Sequence, residues 1–167
     1  MACQLSRDYP TELLLSYEEE LIGASFFTQL STFHDGATKR VLLLLAQVEH
    51  IMANALRPFV RVWCSHLPWR TCDVLHLTGI LEANELCGWS SVELASQLSA
   101  TFALEVEDIV RLLSNGAFAP DSDRAVMQQY LEHEQAIVDT LRSRNGPRGW
   151  DCSFVEVWLS RYAQRLK

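Results

Sequence analysis

Long hydrophobic runs, glycine and proline are scarce in this sequence, and each scarcity excludes a class of protein. The longest apolar run, Val41 to Ala46, is far shorter than the roughly 18–20 residues of a membrane-spanning helix. Only 7 Gly and 5 Pro occur among the 167 residues, which argues against a loop-rich or disordered chain. The first residues contain no basic region followed by an apolar stretch. We therefore expect a cytoplasmic protein that has no secretory signal and does not contact a membrane.

Positive charge and cysteine pairs are also in short supply. The sequence has 14 Lys and Arg against 21 Asp and Glu, which gives a net charge of −7. Nucleic-acid binding is not expected, because phosphate contacts need clustered cations. The 5 cysteines are odd in number and include no Cys-x-x-Cys pair, a pattern typical of a reduced intracellular protein.

Helix start and stop signals divide the chain into six predicted helices, and no strand pattern competes with them. Asp8 or Thr11 is the expected cap of the first helix, and capping boxes are predicted at Ser90 with Glu93 and at Ser153 with Glu156. Pro58 is expected to kink the second helix. The predicted helices cover about 8–33, 38–65, 72–86, 90–115 and 119–144, with a short terminal helix from 153.

The four longest predicted helices carry apolar residues at helical spacing. The stripes are Leu13, Tyr17, Ala24 and Phe27; Leu42, Leu45, Met52 and Leu56; Leu94, Leu98, Ile109 and Leu112; and Met127, Leu131, Val138 and Leu141. Helices with one apolar stripe and short connections are typical of a bundle. The sequence therefore predicts one all-α domain over residues 1–167, an antiparallel four-helix bundle with additional short helices.

Carboxylates interrupt these apolar stripes. Glu20, Glu49 and Glu134 each lie between apolar residues of a stripe, and Glu105 lies at the edge of another. His133 lies on the row beside Glu134. An unpaired buried carboxylate costs several kcal/mol, so each needs a metal, a shared proton, an arginine or water. Glu18 and Glu19, by contrast, are predicted to be solvated.

Three segments resemble helices of ferritin-like and rubrerythrin-like proteins. In residues 17–27, Glu20 precedes small residues and an aromatic pair; residues 45–50 contain Glu49, and residues 130–137 contain His133 and Glu134. The resemblance implies a ferritin-like four-helix bundle with Fe or Mn ions held by inward carboxylates, and oxidoreductase-type activity. Dimetal members take one Glu from each of two helices and Glu-x-x-His from each of the other two.

Two registers carry this ligand pattern onto the sequence, and both are incomplete. In the first, Glu20, Glu49 and Glu134 match ligands, but Met52 and Ile137 stand where histidines are expected. In the second, histidines occupy the histidine places, but Gln47 and Tyr130 stand where the glutamates should be. The candidate metal ligands are Glu20, Glu49, His50, Glu105, His133 and Glu134.

Two other functions stay open. The incomplete ligand pattern also suits a metal-free ferritin-like module that binds a small molecule or a protein partner. In addition, residues 145–151 followed by residues 154–158 are similar to a segment of helical apoptosis regulators, although the Asn-Trp-Gly-Arg motif of those proteins is absent. That resemblance implies a groove for an amphipathic helix.

A homodimer is predicted from apolar residues that exceed the needs of one bundle face. These residues are Phe26, Phe27, Leu30, Phe33, Trp63 and Trp69.

Overall fold

A computed structural model describes residues 8–114, 119–144 and 149–162, and within them every regular element is a helix. The all-α prediction is confirmed. None of the helices in these ranges is long and apolar enough to cross a membrane. The helices are α1 (Tyr9–Ser31), α2 (Gly36–Trp63), α3 (Cys72–Glu85), α4 (Ser91–Ser114), α5 (Arg124–Ser143) and α6 (Ser153–Tyr162).

Capping side chains set several of these boundaries. The Asp8 carboxylate accepts a hydrogen bond from the Thr11 amide at 3.0 Å and so caps α1. The predicted capping box before α4 is present: the Ser90 amide donates to Glu93, and the Glu93 amide donates to Ser90. Gly36 opens α2 with φ +56°, a left-handed conformation that favours glycine. The predicted stop signals at 115–116 and 145–147 lie outside the described residues.

The predicted capping box before α6 is wrong. Ser153 is already the first residue of that helix, and its amide donates to the Asp151 carboxylate at 3.0 Å. Glu156 instead forms an ion pair with Arg40 of α2 at 3.3 Å. The side chain that accepts from the first amide of α6 is therefore that of Asp151, two residues before the predicted cap Ser153.

Contacts at the helix ends give the directions of the four long helices. Cys64, which follows α2, donates to the carbonyl of Pro10 at the start of α1, so these two helices run antiparallel. Arg144 beyond α5 contacts Ser91 at the start of α4, so this pair is also antiparallel. The Tyr9 hydroxyl donates to Asp123 just before α5. Helices α1 and α5 thus begin at the same end of the molecule, while α2 and α4 begin at the other.

The core lies where the predicted apolar stripes meet. Leu42, Leu45, Met52 and Leu56 of α2 are all at most 1% exposed. Burying an aliphatic side chain of this size contributes roughly 1.5–3 kcal/mol. The stripe of α2 thus supplies a continuous buried face against which α1, α5 and α6 pack.

The two shorter helices cover different sides of the bundle. Helix α3 packs along α1 so closely that a Cβ added at Gly79 would collide with the backbone carbonyl of Ile22. Helix α6 packs on α5 and α2. Neither α3 nor α6 fills the space between α1 and α4, and this gap leads to the site described below.

Several of the aromatic residues from which the dimer was predicted contact other rings of the same chain. Phe27 is 0% exposed and stacks on Phe102 of α4 with ring centroids 5.9 Å apart. Trp63 and Trp69 are half-exposed but contact Tyr9 and Tyr17. Phe27 is therefore not part of a surplus apolar surface, whereas Trp63 and Trp69 keep exposed area, and the homodimer stays a prediction.

Candidate metal centre

Four ionisable side chains from three helices meet in the interior of the bundle. Glu20 comes from α1, Glu49 from α2, and His133 and Glu134 from α5. Their exposed fractions are 1%, 3%, 0% and 4%. The Nε2 atom of His133 lies 3.0 Å from Glu20 Oε1, 3.7 Å from Glu134 Oε1 and 3.9 Å from Glu49 Oε2. The predicted convergence of these acids around a histidine is thus found in the fold.

The imidazole of His133 is oriented by its own helix. Its Nδ1 atom bonds to the backbone carbonyl of Tyr130. Because a carbonyl can only accept, Nδ1 carries the proton, and Nε2 faces the carboxylates. The ring also packs against Trp158 of α6, with centroids 5.8 Å apart. This arrangement, with one imidazole nitrogen tied to a backbone oxygen, is the usual support of a metal-ligating histidine.

The cluster contains buried polar atoms without hydrogen-bond partners. These atoms are Glu20 Oε2, Glu134 Oε2 and His133 Nε2. The 3.0 Å contact between His133 Nε2 and Glu20 Oε1 is an ion-pair distance but does not have the geometry of a hydrogen bond. Leaving such groups unpaired costs about 1–3 kcal/mol each, and more when charged. One donor atom from each of Glu20, His133 and Glu134 lies within 4.8 Å of the others, so this group could hold a metal ion.

The electrostatics of the metal-free cluster favour bound protons. Burial, followed by the negative charge of Glu49, raises the pKa of Glu20 well above its ordinary value. Burial also raises the pKa of Glu134 well above its ordinary value, although the charge of His133 acts in the opposite direction. For His133, burial alone would lower the pKa, but Glu134 and Glu49 together raise it. A divalent cation would supply the positive charge that these protons supply in its absence.

The remaining candidate ligands lie outside the buried group. His50 is exposed on α2, so it is not among the converging side chains. Glu105 of α4 stands in the wall of a cavity that leads to the cluster. Although the residue as a whole is exposed, desolvation of its carboxyl group, followed by the charges of Glu19 and Glu49, raises the pKa of Glu105 to about 7. The structure therefore favours His133 over His50 and places Glu105 at the approach to the site.

The prediction that Glu18 is solvated is wrong. Glu18 is only 5% exposed and accepts from both the Nε atom and the backbone amide of Arg70, at 2.7 Å and 2.9 Å. The arginine lies in the loop before α3, far along the chain, which the helical pattern of α1 did not reveal. Glu19, one residue on, is exposed as predicted.

The cavity beside the cluster lies between α1, α3 and α4. Its volume is about 530 Å³. Glu20, Glu49 and Glu134 line its inner end, while the exposed Glu82 and Glu105 line its outer part, so it is open to solvent. A site that is closed by Trp158 on one side and open to a cavity on the other leaves room for water or a small molecule beside the ligands.

Gly23 makes room for one of the carboxylates. It lies one helical turn after Glu20, and a Cβ at this position would stand 2.8 Å from the Cδ atom of Glu49. Any larger residue would therefore move the Glu49 carboxylate. A small residue three positions after a stripe glutamate was present in the sequence, but its contact with α2 could be seen only in the fold.

We expect Gly23→Ala to weaken metal binding by roughly 10–100-fold, the usual cost of disturbing groups around metal ligands. The stability of the metal-free chain should change little, because the added Cβ displaces only the carboxyl end of the Glu49 side chain, and Ala favours a helix over Gly by about 1 kcal/mol. Metal titration and thermal unfolding of the same samples would measure both effects. Gly88→Ala is the matched control, since nothing lies within 4 Å of that Cβ. Unchanged metal affinity in Gly23→Ala would contradict the role of Glu49 near the ion.

The chain matches no protein-family model, no curated protein and no solved structure.

Proposed function

We propose that this chain is a ferritin-like helical-bundle protein that binds one Fe or Mn ion through Glu20, His133 and Glu134. The observation that carries the proposal is the convergence of one donor atom each from Glu20, His133 and Glu134 within 4.8 Å of one another, in a buried cluster that also contains polar atoms without hydrogen-bond partners. A metal ion would take donor atoms from all three residues and offset the repulsion among the acids. Without an ion, the same atoms must retain protons or stay unsatisfied.

The order of the helices supports the ferritin-like part of the proposal. Helix α1 is followed by an antiparallel α2, and α4 is followed by an antiparallel α5. A long connection, residues 64–90, joins the two pairs and contains α3. Ferritin-like bundles have one such crossover between two helical hairpins. Their metal sites are also built in the bundle core from facing helices, as this cluster is.

The donor set supports Fe or Mn and a single ion. Two carboxylates and one imidazole are ligands that suit divalent first-row metals. The positions of the missing histidines are filled by Met52, which is 0% exposed, and Ile137, which is also 0% exposed. These apolar side chains cannot supply the nitrogen donors that a second ion would require. Glu49 remains as an additional carboxylate 3.9 Å from His133 Nε2.

The surrounding residues suit an ion with open positions. The bound metal would supply Lewis acidity or one-electron redox chemistry. The hydrogen bond from His133 to Tyr130 fixes the ligating nitrogen, and Trp158 keeps bulk water from that side. Glu49 stands near enough to accept or return a proton, and the cavity gives a substrate access from the opposite side. Oxidoreductase-type activity is the proposed use of this arrangement.

The proposal is tested by titrating the chelator-treated protein with Mn²⁺ and recording free ion by electron paramagnetic resonance. We expect saturation at one ion per chain, accompanied by proton release, because the ligands must lose their protons. At a free ion concentration 100 times Kd, binding should add about 2.7 kcal/mol to the free energy of unfolding. That increase corresponds to roughly 5–11 °C in Tm for a chain of this size. Weak binding without saturation or proton release would support the metal-free alternative.

A further inference from the structure

The cavity between α1, α3 and α4 has properties that the metal proposal does not use. Its volume of about 530 Å³ lies within the range of small-molecule sites and exceeds what one metal ion with its water needs. Seven glutamates line it: three at the inner end, Glu20, Glu49 and Glu134, and four along the walls, Glu19, Glu82, Glu85 and Glu105.

Acidic side chains outnumber basic ones among the described residues that line this cavity. The cation of the lining is Arg70, and its guanidinium is already held by Glu18 at 2.7 Å. At the inner end, the Oε2 atoms of Glu20 and Glu134 are buried and lack hydrogen-bond partners. A ligand that enters the cavity would take the place of the protons that these acids otherwise retain, which favours a group that carries several N–H donors and a positive charge.

The remaining surface of the cavity is apolar. Phe26 and Phe102 contribute aromatic side chains, and Ile22, Leu86 and Leu98 contribute aliphatic ones. Phe102 is held in place by stacking on Phe27. Aromatic faces attract cations, and aliphatic walls favour a hydrocarbon body. The lining thus combines an anionic end and rim with an apolar middle.

We propose that this cavity binds a small aliphatic amine, with an ammonium group at the buried carboxylates and the hydrocarbon body against Phe26 and Phe102. A second ammonium group would reach the acids of the rim, Glu82 and Glu85. An alkyl carboxylate of the same length would be repelled, and a neutral alcohol would gain only the apolar contacts. The site depends on the cavity and its acids and does not require a bound metal.

Calorimetric titration of the metal-free protein, with chelator present, tests this site. The probes are 1,4-diaminobutane, n-butylamine, methylamine, 1-butanol and butyrate at pH 7. We expect the two butyl amines to bind at least about tenfold more tightly than methylamine, 1-butanol or butyrate, which corresponds to about 1.4 kcal/mol. The double variant Glu82→Gln with Glu85→Gln should lose at least about tenfold in diamine affinity while n-butylamine changes less. The double variant Asp73→Asn with Glu107→Gln, two exposed acids outside the cavity, is the charge-matched control and should not change either affinity.

Two results would overturn the proposal. Equal affinity for n-butylamine, methylamine and butyrate would show that no defined amine site exists. Equal loss of diamine affinity in the cavity double variant and in the charge-matched control would show that only the overall negative charge attracts the probe. The Mn²⁺ titration is performed separately on the same wild-type protein. Amine binding without Mn²⁺ binding would refute only the metal proposal, and Mn²⁺ binding without amine binding would refute only the amine site.

Discussion

Replacing Glu20 by glutamine is expected to lower Mn²⁺ affinity by more than about 100-fold. Changing a residue that only supports a metal ligand already lowers metal affinity by roughly 10–100-fold. Glu20 supplies a donor atom of the candidate metal site itself. The glutamine keeps the size of the side chain but offers no anionic oxygen. The same titration by electron paramagnetic resonance measures the loss, with Glu107→Gln, an exposed acid of α4, as the control.

The stability of Glu20→Gln separates a lost ligand from a damaged fold. Removing a buried charge while keeping the shape is often neutral or stabilising. We therefore expect the metal-free variant to unfold at the same temperature as the wild type, or above it, at pH 8. Glu49→Gln should behave similarly but lose less affinity, because Glu49 lies farther from His133, at 3.9 Å against 3.0 Å for Glu20. Retained Mn²⁺ binding in a folded Glu20→Gln protein would contradict the assigned ligand set.

The metal-free chain is expected to lose stability as the pH rises from about 5 to 8. The pKa values of Glu20 and Glu134 are raised in the folded state. These groups therefore keep protons that the unfolded chain releases above pH 4.5, the ordinary pKa of a glutamate side chain. The pKa of His133 is raised above 6.5, which acts in the same direction at higher pH. The free energy of unfolding should fall by about 1.4 kcal/mol per pH unit for each proton retained on folding.

Among the described residues, the acids whose pKa values are lowered do not reverse this slope. The pKa values of Asp8 and Glu93 are lowered by hydrogen bonds from the backbone and side chains at their helix starts. Their stabilisation is present above pH 4.5 and is lost only at lower pH, outside the range from pH 5 to 8. Chemical unfolding at pH 5, 6, 7 and 8 with chelator measures the effect. In Glu20→Gln the slope should be shallower, and saturating Mn²⁺ should abolish or reverse it. A free energy of unfolding that increases with pH in the wild type would contradict the protonated cluster.

Local chemistry made most of the fold predictable. Helix caps are short-range signals, and Asp8 and the box of Ser90 with Glu93 act as the sequence indicates. The apolar stripe of α2 is buried as its spacing predicts. The box at Ser153 failed because Asp151 competes for the same amide. Whether the bundle is ferritin-like depends on the crossover between hairpins, which no local signal determines.

The candidate site was predictable only where helical spacing decides it. Glu20, Glu49 and Glu134 interrupt apolar stripes, and all three are buried together. The choice between His50 and His133 could not be made, because it depends on how far each helix is rotated in the bundle. The burial of Glu18 depends on Arg70, which is 52 residues away in the sequence. The cavity likewise results from the gap between α1 and α4 and has no counterpart in the sequence.

The metal content of protein purified without a metal-affinity tag tests the central claim most directly. Elemental analysis by mass spectrometry should find about one Fe or Mn ion per chain in the wild type. Glu20→Gln and Glu134→Gln, purified in parallel and shown to be folded, should contain only traces, while Glu107→Gln should match the wild type. Equal trace amounts in all four proteins, together with no binding of added Fe²⁺ or Mn²⁺, would contradict the assignment of this cluster as a metal centre.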